Sequence, residues 1–413
     1  MKKFFGLVVM AMFTLSSLAT AASVLDGLKL SGEITVNKAS VNNEVTASAA
    51  IDDYRSESTV RTMINMDMKL ADDMDARVVL TKDNRQFGTG SEDLNTVQSA
   101  VFADNAYIKV QKLFDLIDLK VGRMFYGERN DLAIYYGPSY DYSLGVSAID
   151  GYLANASVAG VNVEYLDAKI EEDQNPWWAP IPNEDNDIDL QGLVVSPASK
   201  IADMVSAEFY TYKTVDNLIA VNHNQNITLL YGVKASADIS DVNVKAEVAM
   251  NGGENEATNV KYKGSAMIVG ASAKVASVGV RAEYASGSGQ DSSADNTEFA
   301  AEGSDLRYGE IWGNTTETTI LGGVGISNLN VVNIGADYGV NDKVKASADY
   351  LILKRNELAG LTTKKIGNEI DLKVCYEHSE NLSMDLVVAR LMTDKAFGTD
   401  DIDKVNLQMN FKF

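Results

Sequence analysis

Apolar and polar residues alternate along most of this chain with a period of two. The segments 60–70, 242–250, 344–352 and 405–413 carry apolar side chains at most second positions, with polar or charged side chains between them. A helix would repeat its apolar positions every three or four residues, so the pattern predicts β-strands with one apolar and one polar face. Segments of about ten residues are long enough for a tilted strand to cross a bilayer.

The pattern predicts about 18 such strands, one of which covers residues 258–273. Long and short connections alternate between consecutive strands. The short connections include 71–75, 238–241 and 339–343, and the longest are 124–149, 169–187 and 286–329. This asymmetry predicts an all-β fold, a transmembrane antiparallel up-and-down β-barrel of about 18 strands with tight periplasmic turns and long extracellular loops. Because an open edge in lipid would leave backbone groups unpaired, we expect the first strand to pair with the last.

Aromatic residues support the same orientation. Five of them fall on the apolar face at predicted strand ends: Tyr165, Tyr284, Tyr338, Tyr376 and Phe413. Membrane interfaces favour aromatic side chains, so two girdles of this kind are expected around a transmembrane barrel.

The N-terminus predicts a secretory signal peptide over residues 1–21. Two lysines are followed by an apolar run over 4–15, and small residues at 19–21 fit a cleavage site. We therefore expect residues 22–413 to be exported and to form a single barrel in the outer membrane of a Gram-negative-type bacterium.

Composition excludes several classes of function. The formal net charge of −22 argues against binding to nucleic acid, which needs a basic surface. Cys375 is the only cysteine, so no disulfide or zinc cluster is expected. The only histidines are His223 and His378, and neither has the neighbourhood of a catalytic triad. We expect no enzyme activity.

The whole chain after the signal resembles bacterial outer-membrane porins, which commonly end on an aromatic residue after an alternating strand. That resemblance implies that Phe413 is read by the barrel-assembly machinery. Three stretches, 120–130, 306–314 and 366–386, are similar to segments of the alginate-export family of outer-membrane channels. In the first stretch the likeness is carried by Gly122, Arg123, Tyr126, Gly127 and Arg129. The resemblance implies a lumen dominated by arginine.

The polar faces of the strands predict a different lumen, with nearly balanced charge and more lysine than arginine. Such a lumen is typical of a general pore. Loop 124–149, rich in tyrosine, is the candidate for a constriction; the alternative is a loop packed on its outer neighbours. Arg123 interrupts an apolar face, so we expect it at the rim or turned inward by a bulge. The residues predicted to line the pore or its constriction are Arg61, Arg77, Lys109, Lys120, Arg123, Tyr126, Arg129, Asp131 and Arg281.

Acidic loops carry much of the negative charge. Asp185, Asp187 and Asp189 have the spacing of calcium-loop ligands, but Leu190 stands where such loops need glycine. We therefore expect at most loosely bound calcium at these loops and no other cofactor.

The predicted function is passive diffusion of ions and small hydrophilic solutes, such as sugars or uronates, with a weak preference for cations. The alternative is an exported structural or adhesive surface protein acting through loops 169–187 and 286–329. The expected partners are outer-membrane lipid and lipopolysaccharide, and the barrel is either a monomer or a homotrimer.

Overall fold

The computed structural model describes residues 27–43, 54–86, 101–140, 144–171, 187–217, 224–313, 325–358, 362–398 and 400–413. The signal peptide predicted for residues 1–21 lies outside these ranges. Among the described residues, no helix is long and apolar enough to cross a membrane.

One antiparallel sheet of 19 strands forms the fold, and one of its members is only the two-residue segment Val260–Lys261. The other strands are β1 (Leu28–Asn42), β2 (Tyr54–Ala71), β3 (Met74–Gln86), β4 (Phe102–Leu113), β5 (Ile117–Met124), β6 (Ile149–Val158), β7 (Val161–Glu171), β8 (Ile188–Pro197), β9 (Val205–Asp216), β10 (Asn226–Ile239), β11 (Val242–Asn255), β12 (Ser265–Val275), β13 (Val278–Gly287), β14 (Leu329–Asn341), β15 (Val344–Lys354), β16 (Lys365–Ser379), β17 (Leu382–Thr393) and β18 (Ile402–Lys412).

The sheet closes on itself. Each of these strands pairs with its neighbours in the sequence, and β1 also pairs with β18 from Glu33 opposite Lys412 to Asn42 opposite Asp403. The wall is therefore a closed barrel of 18 strands without a free edge. This confirms the predicted strand number and the predicted pairing of the first strand with the last.

Burial in the wall is inverted relative to a water-soluble protein. In β18 the polar Asn406 and Gln408 are buried, whereas the apolar Val405 and Leu407 are 48% and 42% exposed. The same alternation runs round the barrel, with exposed side chains such as Val233 and Leu372 on the outside. Only a barrel with lipid outside and water inside gives each face a suitable solvent.

The seam of the barrel is built around the C-terminal residue. Phe413 and Gly32 exchange two backbone hydrogen bonds, of 2.8 and 3.1 Å. The rings of Phe411 and Phe413 stack with centroids 5.9 Å apart. A side chain at position 32 would overlap the Phe413 ring, so glycine is needed for this close approach.

One predicted strand is wrong. The segment 258–273 is not continuous, because β12 begins only at Ser265. Residues 256–264 form an outer connection that includes the short strand Val260–Lys261. Backbone hydrogen bonds of 2.8 Å join Lys261 and Lys263 to Asn296 in another loop, so they compete with continuous pairing along the wall.

Two long connections each send a segment into the barrel. We call residues 125–148 loop L3 and residues 288–328 loop L7. Leu132 and Ile134 of L3, and Ile311 and Trp312 of L7, are buried in an apolar core with inward-facing side chains from the outer ends of the strands. Full burial of such a side chain contributes about 1.5–3 kcal/mol. The lumen is thus narrowed by packed structure.

Candidate functional site

Loop L3 is fastened to the wall on one side of the lumen. The hydroxyl of Tyr126 donates to Glu164 of β7 at 2.9 Å and lies 3.2 Å from the hydroxyl of Tyr212 on β9. Further along L3, the carboxylate of Asp131 accepts hydrogen bonds from Lys234 of β10 at 3.2 and 3.3 Å. Burial raises the pKa of Asp131, although Lys234 opposes that shift.

Tyrosine–glutamate hydrogen bonds recur at the loop contacts. Tyr308 of L7 donates to Glu283 of β13 at 2.7 Å, and Tyr136 of L3 donates to Glu302 of L7 at 3.4 Å. Burial raises the pKa of both phenols and of Tyr126 well above the usual range, so they remain protonated donors. Glu302 also accepts from Thr214 at 2.6 Å and Glu283 pairs with Lys245 at 2.6 Å, so each carboxylate has a second partner.

The opposite end of L3 meets an arginine cluster. Arg61 of β2 is fully buried and donates to the carbonyl oxygen of Ser139 and to Glu33, the latter at 3.1 Å. The guanidinium groups of Arg61 and Arg129 each lie 4.6 Å from the ring centroid of Tyr140. Two cations therefore share one aromatic ring, a cation–π arrangement that holds Tyr140 in place.

Asp305 of L7 joins the two loops. Its carboxylate accepts hydrogen bonds from Arg129 Nε at 2.9 Å, Arg307 Nε at 2.7 Å and Ser139 Oγ at 3.2 Å. The Asp305 side chain is only 3% exposed, whereas Arg129 is 41% exposed. One buried carboxylate is thus shared by a guanidinium group from each loop, and Arg129 keeps an edge open to the pore.

These loops leave a polar cavity of about 370 Å³ against the wall formed by β13–β18. Its charged lining consists of Arg129, Arg281, Arg307, Glu310, Asp349, Asp371, Lys373 and Asp385. Arg281 pairs with Asp349, and Lys373 pairs with Asp385 at 2.8 Å. The cavity therefore has balanced charge, as the sequence predicts for the lumen as a whole.

A second cavity of about 860 Å³ lies against the wall formed by β4–β10. Carboxylates outnumber cations in its lining, and Tyr126, Tyr135, Tyr136 and Tyr212 contribute aromatic surface. Glu128 and Asp131 of L3 face this cavity, whereas Arg129 faces the first one. L3 therefore presents opposite charges to the two sides of the lumen.

The remaining predicted pore residues are distributed along the wall. Arg77 pairs with Asp67 at 3.5 Å, and Lys109 pairs with Asp118 at 3.6 Å. Lys120 lies 4.9 Å from the ring centroid of Tyr107. These pairs follow the polar face of β2–β5. Lys261 and Lys263, which belong to the predicted strand 258–273, lie instead in the outer connection 256–264.

Arg123 does not belong to the constriction. Strand alternation puts it on the outer face of β5 together with Val121, next to the loop end of the barrel. Its guanidinium donates to Asp150 of β6 at 2.6 Å, and that ion pair neutralises its charge beside the membrane. Of the two positions that the sequence allows, the rim is the one observed.

In the acidic loop, where at most loosely bound calcium is expected, a lysine side chain lies beside the aspartates. Asp187 and Asp189 both pair with Lys169, Asp189 at 3.3 Å, and Asp185 lies outside the described residues. The described part of the chain contains no group of three or more His, Cys, Asp or Glu side chains that could hold a metal ion.

Loop L7 supplies residues that the sequence reading missed: Glu302, Asp305, Arg307 and Glu310. Sequence reading placed 286–329 outside as a long loop. The available signal was the apolar set Leu306, Tyr308, Ile311 and Trp312, which is unusual in a solvated loop.

A closed antiparallel barrel with an apolar outer face and a charged lumen, narrowed by inward loops, has the architecture of the channels of bacterial outer membranes. No family model and no curated protein matches this sequence.

Three solved structures with the same fold come from Pseudomonas aeruginosa. The structure of OccK5 (OpdH) is 15% identical with a TM-score of 0.60, covering 94% of this chain and 98% of that one. OpdK with vanillate is 13% identical with a TM-score of 0.58, covering 93% and 98%. OccK2 (OpdF) in complex with glucuronate is 11% identical with a TM-score of 0.58, covering 93% and 96%. At such identities these structures show a shared fold, and they do not support the likeness to the alginate-export family.

Proposed function

We propose that this protein is an outer-membrane channel through which ions and small hydrophilic solutes diffuse passively. The inverted burial of the barrel wall carries this proposal, because charged pairs line the inside while apolar side chains cover the outside. L3 and L7 narrow the lumen to cavities of about 370 and 860 Å³ and leave charged groups exposed in both.

Small carboxylates are the solute class to test first. Vanillate and glucuronate, found with two structures of the same fold, both carry a carboxylate. In this chain the side chain of Arg129 is 41% exposed, and its guanidinium offers a carboxylate a partner at the constriction. Tyr135, which is partly exposed in the larger cavity, can stack on a sugar ring.

The rival role as a surface adhesin receives less support. Adhesion through 286–329 needs that loop outside the barrel, whereas Phe299, Ile311 and Trp312 of this loop are buried. Most of the other candidate loop, 172–186, lies outside the described residues.

Two measurements test the proposal. Purified protein in planar bilayers should give stepwise conductance, and its reversal potential in a salt gradient should show a weak cation preference. Liposomes containing the protein should swell in small sugars and uronates and not in large oligosaccharides. A folded, heat-modifiable barrel that conducts no ions would refute the channel function.

A further inference from the structure

Glu369 lies on the lumen side of β16, fully buried beneath the turn 309–312 of L7. Its Oε1 accepts a hydrogen bond from the backbone N–H of Ile311 at 2.6 Å, and its Oε2 accepts one from Trp312 at 3.0 Å. Asp371, two residues along the strand, accepts the N–H of Glu310 at 3.1 Å. Two wall carboxylates therefore bind three consecutive N–H groups of one turn.

The turn 309–312 fits closely against the carboxylates of Glu369 and Asp371. Gly309 has a φ of +86°, and a Cβ there would lie 2.6 Å from the Glu369 carboxylate. On the other side of the turn, the ring of Trp312 packs against Phe397 with centroids 6.1 Å apart. A side chain at position 309 would push the turn away from Glu369 without changing any charge.

A chain of contacts connects this turn with the constriction. Arg307 donates to the carbonyl oxygen of Gly313 at 2.7 Å and to Asp305 at 2.7 Å. Asp305 in turn accepts the hydrogen bond from Arg129 of L3. The position of Asp305 therefore depends on the turn that Glu369 holds, although Glu369 itself is buried away from solute.

We propose that Glu369 is a positioning residue that sets the ionic selectivity of the pore, an inference that rests on the channel function proposed above. When the turn moves away from Glu369, Asp305 and Arg307 move together with it, so the lumen loses no net charge. Arg129 stays behind, because L3 and the Tyr140 ring hold it, and it loses its counter-ion. An unpaired guanidinium at a constriction favours anions.

Paired variants on the two sides of the contact test the proposal. Glu369→Gln removes one of the two acceptor oxygens, and Gly309→Ala displaces the turn sterically. Both should shift the anion-to-cation permeability ratio several-fold toward anions. Glu377→Gln, on the exposed end of the same strand, and Gly339→Ala, where an added methyl group meets no atom within 4 Å, should keep the wild-type ratio. A shift in Glu369→Gln alone would show an effect of wall charge and overturn the positioning role.

A readout without ion flow separates this proposal from the channel function. The only tryptophans are Trp177, Trp178 and Trp312, so replacing the first two with phenylalanine leaves Trp312 as the reporter. Trp312 is 4% exposed. Acrylamide should quench it several-fold more strongly in Glu369→Gln and Gly309→Ala than in the two controls, with all barrels still heat-modifiable. Unchanged quenching in both variants would refute the proposal even if the channel conducts. Increased quenching in a non-conducting barrel would refute the channel function, and with it the effect on selectivity, while the role of Glu369 in positioning the turn would stand.

Discussion

Asp305 of L7 and Arg129 of L3 form an ion pair with 2.9 Å between Oδ2 and Nε, although 176 residues separate them in the chain. The Asp305 side chain is almost fully enclosed, whereas Arg129 is partly open to the pore. This pair fixes both the relative position of the two loops and the charge that a solute meets at the constriction.

Removing the charge of Asp305 should make the pore prefer anions. Asp305→Asn keeps the size of the side chain but leaves Arg129 and Arg307 without their shared counter-ion. We expect a several-fold shift of the permeability ratio toward anions in reversal-potential measurements. Docking of the loops should weaken by about 1–3 kcal/mol. Asp150→Asn breaks an ion pair of similar geometry on the outer face and should leave the ratio unchanged.

Removing the Tyr126 hydroxyl should weaken the docking of L3 to the barrel wall. Tyr126→Phe leaves Glu164 and Tyr212 without this partner inside the lumen. Loss of a hydrogen bond to a charged acceptor costs about 1.5–3 kcal/mol. Hydrogen exchange of the L3 amides should therefore accelerate. Tyr165→Phe, on the exposed outer face, is the matched control, and equal exchange in the two variants would contradict the assignment.

Docking of L7 should weaken as pH rises above the ordinary range of a carboxyl group. Burial raises the pKa of Glu302 above its ordinary value of 4.5, although hydrogen bonds from Thr214 and Tyr136 oppose the shift. The docked form therefore binds the proton more tightly than the undocked form. The contribution of Glu302 to docking is fully present below about pH 4.5 and is lost as pH rises through the raised pKa of its carboxyl group.

Trp312 quenching in the background lacking Trp177 and Trp178 measures this pH dependence. Wild-type protein should show more quenching at pH 7.5 than at pH 4.5. Glu302→Gln should reduce that difference, because the amide does not titrate. Identical pH profiles for both proteins would show that Glu302 does not contribute.

A charge on the outer face should be costly. Leu372 lies on the outside of β16, between Ala348 and Val388, and is 51% exposed. Leu372→Arg should lower the free energy of unfolding in lipid vesicles by about 2–4 kcal/mol if this position is near the bilayer centre. Lys373→Arg changes the neighbouring lumen residue and should have little effect. Equal stability of both variants in vesicles would argue against the assigned membrane face.

Phe413 should affect assembly in cells more than the stability of the finished barrel. The hydrogen bonds between its backbone and Gly32 do not need the ring, so Phe413→Ala should refold into lipid vesicles with nearly wild-type yield. If the assembly machinery reads the terminal aromatic, the amount of folded barrel in cells should fall several-fold. Similar losses in both assays would show that the ring serves the barrel itself.

Strand positions could be predicted from the sequence because the bilayer enforces a period of two on every strand. The alternation around Leu407 and Gln408 appears directly in their burial. The error at 258–273 has a local cause, since residues 261–263 pair with Asn296 of another loop and alternation cannot reveal such a partner.

The constriction was harder to predict because it is made by contacts between distant loops. The tyrosine content of L3 drew attention to Tyr126 and Arg129. Asp305 and Glu369 carry no comparable signal, because their importance comes from the N–H groups and guanidinium groups that the fold brings to them. Both residues are buried inside the lumen, where Asp305 holds the guanidinium of Arg129 and Glu369 holds backbone N–H groups of L7.

L3 carries Glu128 and Arg129 side by side, facing different cavities. Their charges create an electric field directed across the pore, perpendicular to the path of a solute. A molecule with a permanent dipole would experience a torque at this point and turn its negative end toward the Arg129 side. A channel with this field would select solutes by how easily they rotate in a confined space, in addition to their size and net charge.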